Sequence, residues 1–168
     1  ELRTPLNGVI GAAQLLRDQG DELHRRHELI EIVRGSGVNL LGLIDGVLDL
    51  ARIESGTLTL ASEDFNLADV VESVAATAAV AARNKGLRLS CAIEPSLPLW
   101  RHGDAAHLRQ VLLNLLGNAI KFTLHGEIAL DVRAGDAGVV SFAVRDTGIG
   151  IGSATLATLF QPFCQAED

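Results

Sequence analysis

Aromatic side chains are scarce in this sequence, at 4% of 168 residues, and its formal net charge is −7. Together these exclude a nucleic-acid partner, because they imply neither a phosphate-attracting surface nor stacking platforms. No apolar run approaches the roughly 20 residues that cross a bilayer, so any membrane attachment is expected from regions outside this segment. The opening Glu1-Leu-Arg-Thr-Pro5 is neither a basic n-region nor a cleavable signal. Only two cysteines are present, Cys91 and Cys164, far apart and in no CxxC or Cys/His metal spacing. They read as reduced thiols of a cytoplasmic setting. What the chain does have is apolar bulk, with 48% hydrophobic against 21% charged residues. That is enough for one ordinary domain or two small ones.

Two regimes meet near residue 56. Before it, Leu2, Leu6, Val9, Ile10, Ala13 and Leu16 fall on one helical stripe that Gly20-Asp21 ends. Ile30, Val33, Gly37, Leu40, Ile44, Val47 and Ala51 form a second, closed by Ser55-Gly56. A polar turn over about Arg17–His24 joins them into an antiparallel hairpin, and Pro5 is expected to kink or weaken the first helix. Two helices alone cannot enclose their apolar stripes, so the hairpin must pack on something, most simply a copy of itself in a four-helix bundle. The alternative is packing on the second half of its own chain.

From residue 57 the pattern is mixed. Thr57–Leu60 alternates like a short strand. A helix starts at Asn66 or Asp69 and runs to Asn84, where Lys85-Gly86 closes it; Leu87–Ile93 alternates again, and Pro95 and Pro98 break the chain. Asp104 is a good N-cap for a helix to about Lys121. Glu127–Arg133 and Val139–Arg145 read as strands around a Gly135–Gly138 turn, and residues 153–168 as short helix or loop. This order predicts an α+β sandwich with helices on one face of the sheet.

The helix ending at Lys121 is the most informative. Asn114 and Asn118 are four apart and Lys121 is three further on, so two amides and an ammonium share one face, while the flanking leucines and Ile120 are expected to bury the rest. Buried amides without partners cost on the order of 1–3 kcal/mol, so something polar should meet them. A magnesium–phosphate group fits, since Mg²⁺ takes hard oxygen ligands and an ammonium pairs with phosphates; hydrogen bonds to neighbouring backbone would serve equally. Asp146-Thr-Gly148-Ile-Gly150-Ile-Gly152 follows the last strand directly. Its glycines allow close backbone approach, and the Asp146 carboxylate accepts from an exocyclic amino group such as that of adenine. A dinucleotide-fold fingerprint would need a βαβ setting, which the surrounding hairpin does not supply.

Asn114-Leu-Leu-Gly-Asn118-Ala-Ile-Lys121-Phe122-Thr123 resembles the N box of sensor histidine kinases. Asp146-Thr-Gly-Ile-Gly150 is similar to their first glycine box, and Leu159-Phe160-Gln-Pro-Phe163 to their F box. Glu1-Leu-Arg-Thr4-Pro5-Leu-Asn7 resembles the text after the phospho-accepting histidine, and Leu48–Gly56 the exit of the dimerisation hairpin, especially in hybrid kinases. The resemblance implies an all-α helical hairpin (1–56, a four-helix bundle on dimerisation), a linker (57–65) and an α+β ATP-binding sandwich of the Bergerat or GHKL type (66–168). It implies ATP and Mg²⁺ as cofactors, a homodimer, and a response regulator receiver domain as partner. Asn118 would coordinate Mg²⁺, with Asn114 beside it orienting phosphate or water. Lys121 would meet phosphates and Phe122 would sit close to the nucleotide. Asp146 would receive the adenine amino group in a pocket shaped by Gly148 and Gly150. Phe160 and Phe163 would anchor a flap over ATP; the bland reading of both is simple core. Glu1 would act as general base for the acceptor histidine, and Thr4 would place water for dephosphorylating a partner.

The sequence departs from the family pattern in three places. The acceptor histidine is expected immediately before Glu1, and none of His24, His27, His102, His107 and His125 fits its spacing. His107 stands where the family often has arginine, and Ala105 in place of a common proline. The second glycine-rich box is expected beyond Asp168. A degenerate, non-catalytic nucleotide-binding module is the competing expectation. A gyrase-type ATPase ranks below both, because that class uses a glutamate where Asn114 stands, and an amide cannot take a proton.

Overall fold

The computed structural model describes residues 3–18, 23–152 and 156. The chain divides into two compact units, Glu1–Thr59 and Leu60–Asp168. The first unit is a helical hairpin of α1 (Arg3–Asp18) and α2 (Leu23–Glu54). Both helices run into the stretch expected as the turn, α1 to Asp18 and α2 from Leu23, and residues 19–22 lie outside the described residues. Pro5 does not break α1. It is the third residue of the helix as described, in the first turn, where an N–H has no intrahelical acceptor to lose. Gly8 lets the two helices touch, since a Cβ there would sit 2.6 Å from Ser36 Oγ. Among the described residues of the hairpin Pro5, Ala12 and Leu29 are covered, whereas Leu6, Ile10, Ile30, Val38, Leu41, Ile44, Val47 and Leu48 are exposed.

Gly56 adopts a left-handed φ of 67° and ends α2. The N–H groups of Thr57 and Leu58 then turn back to the Arg52 carbonyl, at 2.9 and 3.2 Å. Donors committed to a helix end cannot join a ladder, so the strand expected at Thr57–Leu60 does not form. It is displaced to β1 (Glu63–Asn66), which pairs antiparallel with a strand the sequence pattern did not single out, Trp100–Gly103.

The second unit holds α3 (Leu67–Asn84), β2 (Arg88–Ile93), β3 (the Trp100–Gly103 strand), α4 (Ala105–Phe122), β4 (Glu127–Ala134), a 3₁₀ turn (Asp136–Gly138) and β5 (Val140–Asp146). Asn66 caps α3 by accepting from Ala68 N–H at 2.9 Å. Gly86, at φ 73°, closes the same helix as the Lys85-Gly86 pair led one to expect. The main sheet has the order β2-β4-β5 and is mixed, with β2 parallel and β5 antiparallel to β4. Along β4, Ile128, Leu130 and Val132 point one way and are buried against Val71, Val74 and Ala78 of α3 and Leu112, Leu116 and Ala119 of α4. That alternation gives the expected sandwich, with both helices on one face of the sheet.

Candidate nucleotide site at the end of α4

Asp104 begins the helix that carries the candidate residues. Its Oδ1 accepts from the His107 N–H at 2.8 Å, and its Oδ2 from the Ala61 N–H at 2.8 Å and lies 2.7 Å from the His107 ring. Those two backbone donors, chiefly that of His107, lower the Asp104 carboxyl to about 2, against a smaller opposing effect of burial. The cap fixes where α4 starts, and the packing of Leu112, Leu116 and Ala119 in the core with Ile128, Leu130 and Val132 sets its rotation and so which residues face outward.

That rotation revises one expectation. Only the side of Leu112, Leu116 and Ala119 is buried; Asn114, Asn118 and Lys121 lie on an exposed side, together with Val111, Leu115 and Phe122. Leucine content alone misled, because three of the large apolar residues are left uncovered. Among the described residues neither amide has a hydrogen-bond partner, so the alternative in which both are satisfied by neighbouring backbone is not realised. The outcome is a ledge of two amides, one ammonium and bare apolar surface. Lys121 Nζ sits 4.8 Å from the Phe122 ring centroid, a cation–π contact that sets the two side chains beside each other.

Strand β5 brings the glycine segment to the end of this helix. Asp146 pairs with Ile128 in the register, so its side chain leaves the sheet on the helix-covered face. Gly148 N–H donates to Asp146 Oδ1 at 2.8 Å, and Ile149 N–H donates to the Phe122 carbonyl at 3.3 Å. Gly148 must be glycine for space: a Cβ would stand 2.6 Å from the Phe122 oxygen. Gly150 adopts φ 71°, a conformation that side chains disfavour. Thr147 fastens the loop from behind, its Oγ1 accepting from Glu127 N–H at 3.0 Å.

The structure therefore joins Lys121, Phe122, Asp146, Gly148 and Gly150 at one end of α4, with Asn118 and Asn114 one and two turns back along the same exposed side. Of the remaining candidates, Thr4 is exposed near the start of α1. Glu1, Phe160 and Phe163 lie outside the described residues, as does Cys164; Cys91 is a free, exposed thiol, its titration pushed up mainly by partial burial. Sequence patterns marked Lys85 only as a helix stop, Thr147 only as part of the glycine segment and Gly126 not at all, because the roles found here depend on partners 20 to 36 residues away. At Gly126, a Cβ would collide with Thr147 Oγ1.

The donor set suits a purine nucleotide with a hard cation. Asp146 keeps one carboxylate oxygen without a hydrogen bond among the described residues, next to Ile149, which is 75% exposed, and Phe122, which is 42% exposed. An acceptor flanked by bare apolar groups matches the amino edge and faces of a purine. Among the described residues no group of three His, Cys, Asp or Glu is placed to hold a metal. The exposed Asn118 amide oxygen is a hard oxygen donor of the class that Mg²⁺ accepts alongside phosphates and water.

Comparison with known proteins agrees with this layout. Residues 1–56 match the His Kinase A (phospho-acceptor) domain, and residues 103–168 match the histidine kinase-, DNA gyrase B- and HSP90-like ATPase. The chain is 39% identical over 171 residues to the hybrid signal transduction histidine kinase L of Dictyostelium discoideum, covering 99% of this chain and 10% of that protein. It is similar to full-length ShkA solved with AMPPNP, at TM-score 0.67 and 35% identity over 91% of this chain and 33% of that one. The histidine kinase ThkA, solved in complex with the response regulator protein TrrA, shares the fold at TM-score 0.67 and 20% identity, over 98% of this chain and 48% of that one. The chain spans between 10% and 24% of the length of the curated relatives it matches. A phospho-acceptor hairpin followed by an ATPase sandwich, in this order and with near-complete alignment, places the chain in the histidine kinase family.

Proposed function

We propose that this chain is the core of a sensor histidine kinase of the hybrid type. It moves the γ-phosphoryl group of ATP to a histidine just before Glu1 and then to an aspartate of a response regulator. The observation that carries this reading is the closure of the Asp146–Ile149 loop onto the end of α4 that bears Lys121 and Phe122, with one Asp146 carboxylate oxygen unbonded among the described residues. In this reading residues 66–168, together with the rest of β1, bind nucleotide, residues 1–56 receive and pass on the phosphoryl group, and the remainder of 57–65 connects them.

Asp146 accepts the purine amino group, in a pocket that Gly148 and Gly150 keep open and Phe122 flanks. Lys121 pairs with phosphate oxygens, Asn118 offers its amide oxygen to Mg²⁺, and Asn114 orients phosphate or water. Bound with the phosphates, Mg²⁺ supplies charge neutralisation during transfer. Phe160 and Phe163 anchor the flap. Glu1 accepts the ring proton that frees the attacking imidazole lone pair, and Thr4 positions the water that dephosphorylates the regulator. The exposed Val38, Leu41, Ile44, Val47 and Leu48 of α2 support a homodimer in which two hairpins cover each other. Among the described residues no helix is long and apolar enough to cross a membrane. We assign the segment to the cytoplasm, where ATP and the regulator are found.

The test is incubation of a chain extended on its N-terminal side with radiolabelled ATP and Mg²⁺. Acid-labile, base-stable label on the residue before Glu1, passed on to a receiver domain, is the expected result. Tight nucleotide binding without any label would instead favour the degenerate module.

A further inference from the structure

The last four carbonyls of an α-helix lack intrahelical donors, and a helix end placed at a binding site must find partners for all of them. For α4 these are Ala119, Ile120, Lys121 and Phe122. The Thr123 N–H takes Ala119 at 3.1 Å, and the Ile149 N–H takes Phe122 at 3.3 Å. The middle two are taken by one side chain from another helix: Lys85 Nζ donates to the Ile120 and Lys121 carbonyls, each at 2.7 Å.

We propose that Lys85 is a positioning residue for the nucleotide site, acting through the end of α4. This rests on the nucleotide reading above and adds to it a residue outside the boxes that carry the resemblance. Lys85 is itself held firmly. It caps α3, its N–H reaching the Ala81 and Ala82 carbonyls, and Gly86 and Leu87 complete the closure on Arg83 and Ala82. Its ammonium therefore meets α4 from a fixed base. The two carbonyls it binds directly precede the Phe122 carbonyl, against which Gly148 packs and to which Ile149 bonds. Fixing the direction of Ile120 and Lys121 C=O fixes that of Phe122, and so the seat of the Asp146 loop and the base of the Lys121 and Phe122 side chains.

Charge acts in the same direction. The C-terminus of a helix carries about half a negative charge, and a cation there offsets it. Without Lys85, two bare carbonyls would lie beside the ledge proposed to receive polyphosphate. Charge-assisted bonds at this distance are among the stronger ones available at a surface.

The experiment compares the wild-type chain with Lys85→Met and Lys85→Arg under conditions where thermal melts show all three folded. Hydrogen exchange at the Ile149 amide is followed without nucleotide, and affinity for a non-hydrolysable ATP analogue is titrated. Lys85→Met is expected to speed Ile149 exchange and weaken the analogue by about five- to tenfold, the scale of a lost charge-assisted pair. Lys85→Arg, which keeps the charge and donors, should recover most of both. In the extended, active chain the KM for ATP should rise with little change in kcat. Unchanged Ile149 exchange in Lys85→Met, or an arginine variant no better than methionine, would overturn the proposal. If the wild-type chain bound no nucleotide, the reading of the site would fall, while the exchange data would still decide whether Lys85 seats the loop.

Discussion

Gly148 gives the sharpest measure of how closely the Asp146 loop must approach α4. A Cβ at this position would lie 2.6 Å from the Phe122 oxygen, 2.8 Å from Asp146 Oδ1 and 3.0 Å from the Phe122 carbonyl carbon. Two of those three atoms are backbone at a helix end, so they cannot swing aside as a side chain would. In Gly148→Ala the loop must retreat by roughly half an ångström. The Ile149–Phe122 bond, already 3.3 Å, is then lost, and the Gly148–Asp146 bond is pulled out of line. Losing these bonds costs about 0.5–1.5 kcal/mol each, and residual crowding adds a comparable amount. A total of about 2 kcal/mol expressed at the site weakens nucleotide binding by roughly thirtyfold. Gly117 is the internal control. It lies within α4, where an added Cβ would meet nothing within 4 Å beyond the helix's own backbone, so Gly117→Ala should stabilise the domain by about 0.5–1 kcal/mol. Calorimetric titration with a non-hydrolysable ATP analogue, paired with thermal melts, separates the two effects. A Gly148→Ala protein that bound the analogue as tightly as wild type would refute the idea that this contact shapes the site.

Other expectations follow from single groups. Asn118→Ala should weaken binding of the magnesium–nucleotide complex by about tenfold or more while leaving metal-free nucleotide binding and the oligomeric state unchanged; equal affinity in magnesium would remove Asn118 as the metal ligand. Thr123 is fully buried, and its hydroxyl has no hydrogen-bond partner among the described residues. Thr123→Val should therefore hold or raise stability, by up to about 1 kcal/mol in urea unfolding, and a clear loss would show that the hydroxyl is satisfied after all. Asp104 has a folded value near 2 against an ordinary 3.8, so its contribution to stability is whole above that ordinary value and is lost as pH falls through about 2. Asp104→Asn should flatten this part of the acid limb, and an unchanged limb would assign it to other carboxylates.

The helices were legible because each has both a periodic stripe and punctuation. Asn66, Lys85-Gly86 and Asp104 fall at helix ends as expected, since capping is a local matter of one side chain and the next turn. Strands β4 and β5 were legible within a residue for the same reason. Thr57–Leu60 was misread because alternation cannot reveal that its N–H groups are already committed to Arg52. Strand β3 is too short and too polar to signal itself, and it exists because β1 is there to pair with it. At the site, the residue types and their shared face were readable. Which side of α4 the sheet would cover was not, and so Leu115, expected to be buried with the other leucines, is exposed instead. Lys85 was invisible as a partner because nothing in its own neighbourhood points to a carbonyl 36 residues away.

An ordinary helix start accepts any of several short polar residues, since a single acceptor suffices. Position 104 is stricter. One oxygen of its side chain serves the His107 N–H, while the other faces both the Ala61 N–H and the His107 ring. Asparagine would turn an NH₂ group toward one of these donors, and serine or threonine has only one oxygen to share. A saturation library at this codon, sorted by stability, should thus rank aspartate above asparagine, serine and threonine, where most caps rank them together. The segment just after the hairpin and the first turn of α4 are spelled by the same residue, so neither can drift in sequence without the other.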